Sequence, residues 1–83
     1  LSAIDASKQR LRTGIARGRR QLALFEERYG VSTEHFLTHM AAEDLIGGDL
    51  EYVEWAGEAK LLGSLETELA ELEQARYELP DLS

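Results

Sequence analysis

The chain has 83 residues, a formal net charge of −7 and no cysteine. This length suffices for one small domain over residues 1–83, and the lack of thiols excludes a disulfide framework or a cysteine-based zinc site. No apolar run approaches the roughly 20 residues that span a bilayer and no signal peptide is visible, so we expect a cytoplasmic protein without a membrane anchor.

A first long helix is predicted between about residues 3 and 29. Apolar side chains recur there at alternating spacings of four and three residues, with Lys8 at the one polar position: Ile4, Leu11, Ile15, Gly18, Leu22, Phe25 and Tyr29. Such a repeat keeps one stripe of the helix facing a partner helix. Gly30 suits the left-handed conformation that follows many helix ends.

A short second helix is predicted next, with Ser32 as its N-cap. Val31 and Phe36 stand at the two positions of a hydrophobic staple, which fixes how the chain enters a helix. This helix should end near Asp44, because residues 45–48 read Leu-Ile-Gly-Gly and predict a break.

A third, long helix is predicted over about residues 50–79, with Asp49 as its N-cap and Pro80 just beyond it. Its apolar seam continues the alternating spacing, with Glu58 and Arg76 at the two polar positions: Trp55, Leu62, Leu65, Leu69, Leu72 and Leu79. The two long helices are nearly equal in length. We therefore predict an all-α fold, an antiparallel helical hairpin in which residue numbers summing to roughly 81 lie side by side.

The charges divide unequally along the chain. Residues 1–20 carry six basic side chains and one acidic one, a net +5, whereas residues 21–83 carry three basic and fifteen acidic ones, a net −12. In the predicted hairpin, the basic and acidic flanks face each other. Lys8, Arg10 and Arg12 come near Glu71 and Glu73, and Arg17 and Arg19 come near Glu66. Nucleic-acid binding is a third hypothesis for function, through Arg12, Arg17, Arg19 and Arg20.

Gly14 and Gly18 form a Gly-x-x-x-Gly pattern inside the first helix. Each glycine costs a helix about 1 kcal/mol relative to alanine, so a packing reason is expected. Two uses stay open: close packing within the hairpin opposite Gly63, or a docking groove for a partner helix.

The only two histidines, His35 and His39, are spaced one helical turn apart, with Glu43 one turn further on. Two histidines on one helical face can bind a metal, but the sequence has neither His-Glu-x-x-His nor Glu-x-x-His. The pattern favours surface histidines on a polar face, and we predict no metal and no cofactor. Because the sequence also lacks a glycine-rich phosphate loop, we predict no enzyme and no catalytic residue.

Acidic and aromatic residues gather at the turn end of the predicted hairpin. One interpretation is a solvated face with acids favourably placed at a helix N-terminus. The other is a docking patch for a basic protein, with Tyr52 and Trp55 as aromatic anchors. The predicted partner-binding residues are Asp49, Glu51, Tyr52, Glu54, Trp55 and Glu58.

The sequence around this turn resembles a known pattern. Residues 29–34 read Tyr-Gly-Val-Ser-Thr-Glu, and residues 45–57 read Leu-Ile-Gly-Gly-Asp-Leu-Glu-Tyr-Val-Glu-Trp-Ala-Gly. This resembles small prokaryotic proteins with a YGMS-x-E-x-F segment, then LGDD-x-x-x-x-EWAG and a leucine-rich helix. The likeness covers about a third of the chain. It departs at Val31, where methionine is usual, and at Gly48, where an acid is usual.

Most members of that group are uncharacterised, and some sit beside toxin genes and are treated as antitoxins. The resemblance therefore implies an antitoxin-like protein, and an acidic helical protein could cover the active cleft of a basic ribonuclease. The leading functional hypothesis is thus a non-catalytic module that binds a basic protein. The alternative is a structural or assembly protein that forms a homo-oligomeric helical bundle. For either function, a second apolar stripe off the main seam predicts a homodimer that forms a four-helix bundle: Leu1, Leu24, Val53, Leu61 and Leu82.

Overall fold

The computed structural model describes the backbone of residues 3–40 and 50–78 and the side chains of 3–40 and 50–74. Its elements are α1 (Ala3–Tyr29), α2 (Thr33–His35), a π-helical segment (Phe36–Met40) and α3 (Leu50–Glu78). Neither described range contains a strand. α1 packs lengthwise against α3, and the molecule measures 56 × 19 × 19 Å. The predicted all-α helical hairpin is confirmed.

α1 buries the middle of the predicted seam and ends where the sequence indicated, whereas Ile4 at its start is 38% exposed. Leu11, Ile15 and Gly18 are buried along it, together with Lys8 at the polar seam position. Gly30 follows the helix with a φ of 71°, and its N–H donates to the Glu26 carbonyl at 2.8 Å. A residue with a side chain pays a steric penalty at such a φ, which explains glycine here.

α2 begins at the predicted cap. Ser32 is extended, and its Oγ accepts a hydrogen bond from the His35 N–H at 3.0 Å. Val31 packs against the cluster around Phe36, as a hydrophobic staple requires. The π-helical turns after α2 were not predicted, and the expected end near Asp44 and the break at 45–48 lie outside the described residues.

α3 spans almost the predicted range. Trp55 and Leu62 are buried on its seam, and Leu65, Leu69 and Leu72 are half-buried. The predicted N-cap, Asp49, and the seam residue Leu79 lie outside the described residues. No helix of the described ranges combines the length and apolarity needed to cross a membrane.

Leucine side chains of α3 pack against the two glycines of the Gly-x-x-x-Gly pattern in α1. A Cβ on Gly14 would stand 3.0 Å from Leu65 Cδ1, and one on Gly18 would stand 3.4 Å from Leu62 Cβ. The prediction that Gly63 lies opposite is wrong, because Gly63 is exposed and has open space around it. Facing glycines would leave a void, whereas leucines fill the space that the glycines of α1 provide.

Ion pairs between the two long helices lie close to the predicted register. Arg19 contacts Glu66 at 2.8 Å and Arg12 contacts Glu73 at 3.5 Å. Both pairs are substantially exposed to solvent, so each contributes only about 0–1 kcal/mol and serves mainly to favour this register. Arg10, which the register also placed near acids of α3, instead bonds Ser7 within α1 at 3.2 Å.

Candidate functional site

An aromatic cluster fills the turn end of the hairpin, where α1, α2 and α3 meet. Trp55 of α3 is fully buried, and its ring lies parallel to that of Phe36 at a centroid distance of 3.9 Å. Phe25 and Tyr29 of α1 stack on Trp55 at 5.4 Å each. Aromatic pairs of this kind stabilise by about 0.5–1.5 kcal/mol beyond their buried area.

Hydrogen bonds complete this cluster. The Trp55 Nε1–H donates to Thr33 Oγ1 at 3.0 Å, which satisfies the one polar atom of the indole and ties α2 to α3. A Glu26 carboxylate oxygen accepts the Thr33 N–H at 2.7 Å, so α1 holds the same residue. Half-buried Tyr52 packs edge-on against Phe36 at a centroid distance of 5.0 Å.

These contacts correct the predicted role of Trp55. A fully buried indole presents no surface to a partner, so Trp55 is a core residue of the hairpin and not an exposed anchor. Its position on the apolar seam is the physical reason, because that stripe faces α1. Tyr52 contributes mainly to the same cluster, although it keeps some solvent exposure.

Glu51 also forms its contacts within the hairpin. The Tyr29 hydroxyl donates to its Oε2, and the Arg28 guanidinium donates to its Oε1. Both carboxylate oxygens therefore have partners on α1, and Glu51 joins the helix ends. Sequence analysis missed this link, although the predicted register places residues 28 and 29 beside 51 and 52.

Glu54 is the predicted site residue that stands free at the surface. Its side chain is exposed, forms no ion pair within the described chain and borders a shallow cleft of about 130 Å³. Leu24 of α1 lines the same cleft and is 59% exposed. Glu58, one turn further along α3, is half-buried, and Asp49 lies outside the described residues.

Exposed apolar side chains surround Glu54 on α3. Leu50, Val53 and Leu61 are 68%, 44% and 53% exposed. Three- and four-residue spacings put them on the outward half of the helix, beside Glu54 and the open Gly57. We call this surface the acidic–apolar face and define it by Leu24, Leu50, Val53, Glu54 and Leu61.

The four arginines of the nucleic-acid hypothesis divide into two pairs. Arg12 and Arg19 bond glutamates of α3 and border a groove of about 420 Å³ between the long helices. Arg17 and Arg20 are exposed and have no ion-pair partner within the described ranges. Internal pairing thus uses half of the charge that a phosphate backbone would contact.

The net charges of the two long helices have opposite signs. α3 carries eight glutamates against Lys60 and Arg76, a net −6, whereas α1 carries seven basic residues against three acids, a net +4. Because only some of these charges meet across the hairpin, α3 keeps an acidic outer surface. The acidic–apolar face lies at the turn end of that surface.

Comparison of the chain with protein-family models, with curated proteins and with solved structures gave no match.

Proposed function

We propose that this protein is a non-catalytic module that binds a basic protein through its acidic–apolar face. The observation that supports the proposal most directly is Glu54, which is exposed beside Leu50, Val53 and Leu61, none of which the hairpin core uses. An apolar patch with a charged rim is the usual composition of a protein-binding surface.

The apolar side chains of this face would supply most of the binding free energy. Each square ångström of apolar surface removed from water contributes roughly 25 cal/mol, less the cost of association. Glu54 and the acidic outer surface of α3 would attract a basic partner over distance and orient it. Binding should therefore combine a salt-dependent association rate with a less salt-dependent dissociation rate.

An antitoxin role fits this chemistry. The resemblance at residues 29–34 and 45–57 points to proteins of that kind, and Leu50, Val53 and Glu54 of the acidic–apolar face lie within the second of these segments. In this proposal Trp55 and its aromatic neighbours are scaffold, and the exposed leucines take the place of the predicted aromatic anchors. The partner is a basic protein, with a toxin ribonuclease as the leading case.

Affinity capture from a lysate of the source cells tests the proposal. Parent, Glu54→Lys and Glu71→Lys proteins are immobilised in parallel and eluted with a salt gradient. Glu71 is exposed, forms no ion pair within the described ranges and lies about 25 Å further along α3, so its variant makes the same charge change away from the face. A basic protein that is retained by the parent and by Glu71→Lys but lost from Glu54→Lys supports the proposal. Equal retention by all three contradicts it.

A second candidate is self-assembly through the same exposed leucines. A second copy could cover Leu24 and Leu61 and produce a four-helix bundle, because hairpins with an unpartnered apolar stripe commonly dimerise. This candidate requires no acidic contact, which separates it from the first.

Sedimentation measurements on Leu61→Glu and on Leu37→Glu test self-assembly. Leu37 is exposed as well but lies in the π-helical segment, outside the acidic–apolar face, so it provides a matched control. If the candidate is right, the parent and Leu37→Glu sediment as dimers and Leu61→Glu as a monomer. A parent that stays monomeric at high concentration eliminates it.

A further inference from the structure

The two histidines of the chain lie side by side at the surface. His35 ends α2, His39 lies in the π-helical segment, and both side chains are exposed. Their ring centroids are 4.8 Å apart, with the ring planes inclined by 40°. Because the chain has no other histidine and no cysteine, both of its imidazoles are in this pair and it offers no thiolate.

The separation matches two imidazoles on one metal ion. With metal–nitrogen bonds of about 2.0–2.1 Å and ring centres about 1.1 Å behind each nitrogen, a tetrahedral angle separates the centroids by roughly 5.2 Å. A right angle, as in tetragonal coordination, gives roughly 4.5 Å. The observed 4.8 Å lies between these values, so the separation of the rings is compatible with two imidazoles on one ion.

Three contacts hold the backbone segment that carries the two histidines. The Ser32 cap accepts the His35 N–H at 3.0 Å, and the Thr38 hydroxyl donates to the Glu34 carbonyl at 2.9 Å. Phe36, between the two histidines in sequence, is fully buried against Trp55. The inward face of this segment is therefore fixed by the core, which keeps both histidines on the outward face.

We propose that His35 and His39 chelate a divalent late transition-metal ion of the zinc, nickel or copper class. Imidazole is a preferred ligand for these ions, and two histidines one helical turn apart supply two of the ligands in known zinc sites. Among the described residues, no group of three or more histidine or carboxylate ligands exists. Within the described residues, the pair therefore leaves the other coordination positions of the ion to water.

Calorimetric titration of the whole chain with Zn²⁺ tests this proposal. We expect one Zn²⁺ per chain and a dissociation constant at least about tenfold weaker in His35→Gln and in His39→Gln, because each variant leaves one imidazole and no chelate. Glu34→Gln, which removes an exposed carboxylate beside His35, should bind like the parent. Mg²⁺ should give no comparable heat, since it prefers oxygen ligands.

Two results would overturn the chelate. One is a single-histidine variant that binds Zn²⁺ as tightly as the parent. The other is a stoichiometry of one Zn²⁺ per two chains, which would place the ion between copies. Both histidines are exposed, so the variants should keep the far-ultraviolet circular dichroism of the parent. The outcome is independent of the proposed partner, because neither histidine belongs to the acidic–apolar face.

Discussion

Phe25, Tyr29 and Phe36 pack against the Trp55 indole, and Thr33 accepts its N–H. Three helical elements thus contribute to the environment of one side chain. Removing a fully buried tryptophan loses its transfer free energy and leaves a cavity among rigid rings. In a chain of this size, that loss is comparable to the whole free energy of unfolding, which is roughly 5 kcal/mol or a little more.

We expect Trp55→Ala to lower the free energy of unfolding by about 3–5 kcal/mol. Urea unfolding followed by circular dichroism measures the change. Leu61→Ala is the control, because Leu61 is half exposed and its truncation should cost less than about 1 kcal/mol. Equal costs for the two variants would mean that Trp55 does not hold the turn end together.

Sequence reasoning gave Trp55 two incompatible roles, and packing decides between them. Its place on the four–three seam predicted burial, whereas its place among glutamates predicted a surface anchor. The seam position prevails because burying the indole against three aromatic rings lowers the free energy far more than leaving it exposed among glutamates would. The spacing also placed Leu24, Val53 and Leu61 off the seam, and all three are exposed. The exposure of Leu50 was not predicted, because its position was assigned to neither stripe.

Helix bounds, in contrast, follow directly from local sequence. The apolar repeat gave α1 its full range, and Gly30 and Ser32 fixed the turn through their own backbone preferences. The π-helical segment had no such signal, because α- and π-helical turns place the apolar residues of a five-residue stretch on nearly the same face. The error at Gly63 has a similar origin, since sequence spacing alone does not show which side chain enters the space beside a glycine.

The glycines of the two long helices differ in a way that mutation can measure. Gly63→Ala should raise the free energy of unfolding by about 1 kcal/mol, because a Cβ there meets open space and alanine favours the helix. Gly14→Ala should raise the free energy of unfolding by less than Gly63→Ala does, or should lower it. The reason is that its Cβ would stand 3.0 Å from Leu65 Cδ1. Thermal or urea unfolding of both variants makes the comparison.

The opposite ordering would contradict the described helix contacts. If Gly14→Ala stabilised the protein more than Gly63→Ala, the face of α1 that carries Gly14 could not be the one that receives Leu65. Gly57→Ala offers an independent check, because Gly57 also has open space around it and should behave like Gly63.

For the whole molecule, charge serves two purposes. Arg12 and Arg19 pair with glutamates of α3 and help to favour one register, whereas Glu54 is left exposed at the turn end. The net charge of −7 therefore does not describe a uniformly acidic particle. Its acidic outer surface lies on α3, beside leucines that the hairpin leaves uncovered, and this combination is the basis of the proposed partner binding.

The most direct test of the central claim is the association rate of the captured basic protein with the parent, Glu54→Lys and Glu71→Lys proteins across a range of salt concentrations. We predict a rate for the parent that falls about tenfold or more from low to high salt, since steering of this kind is screened by ions. We also predict a dissociation constant for Glu54→Lys that is at least about tenfold weaker than that for Glu71→Lys, because of these two residues only Glu54 would contact the partner. A salt-independent rate, or equal binding by the two charge-matched variants, would contradict the account.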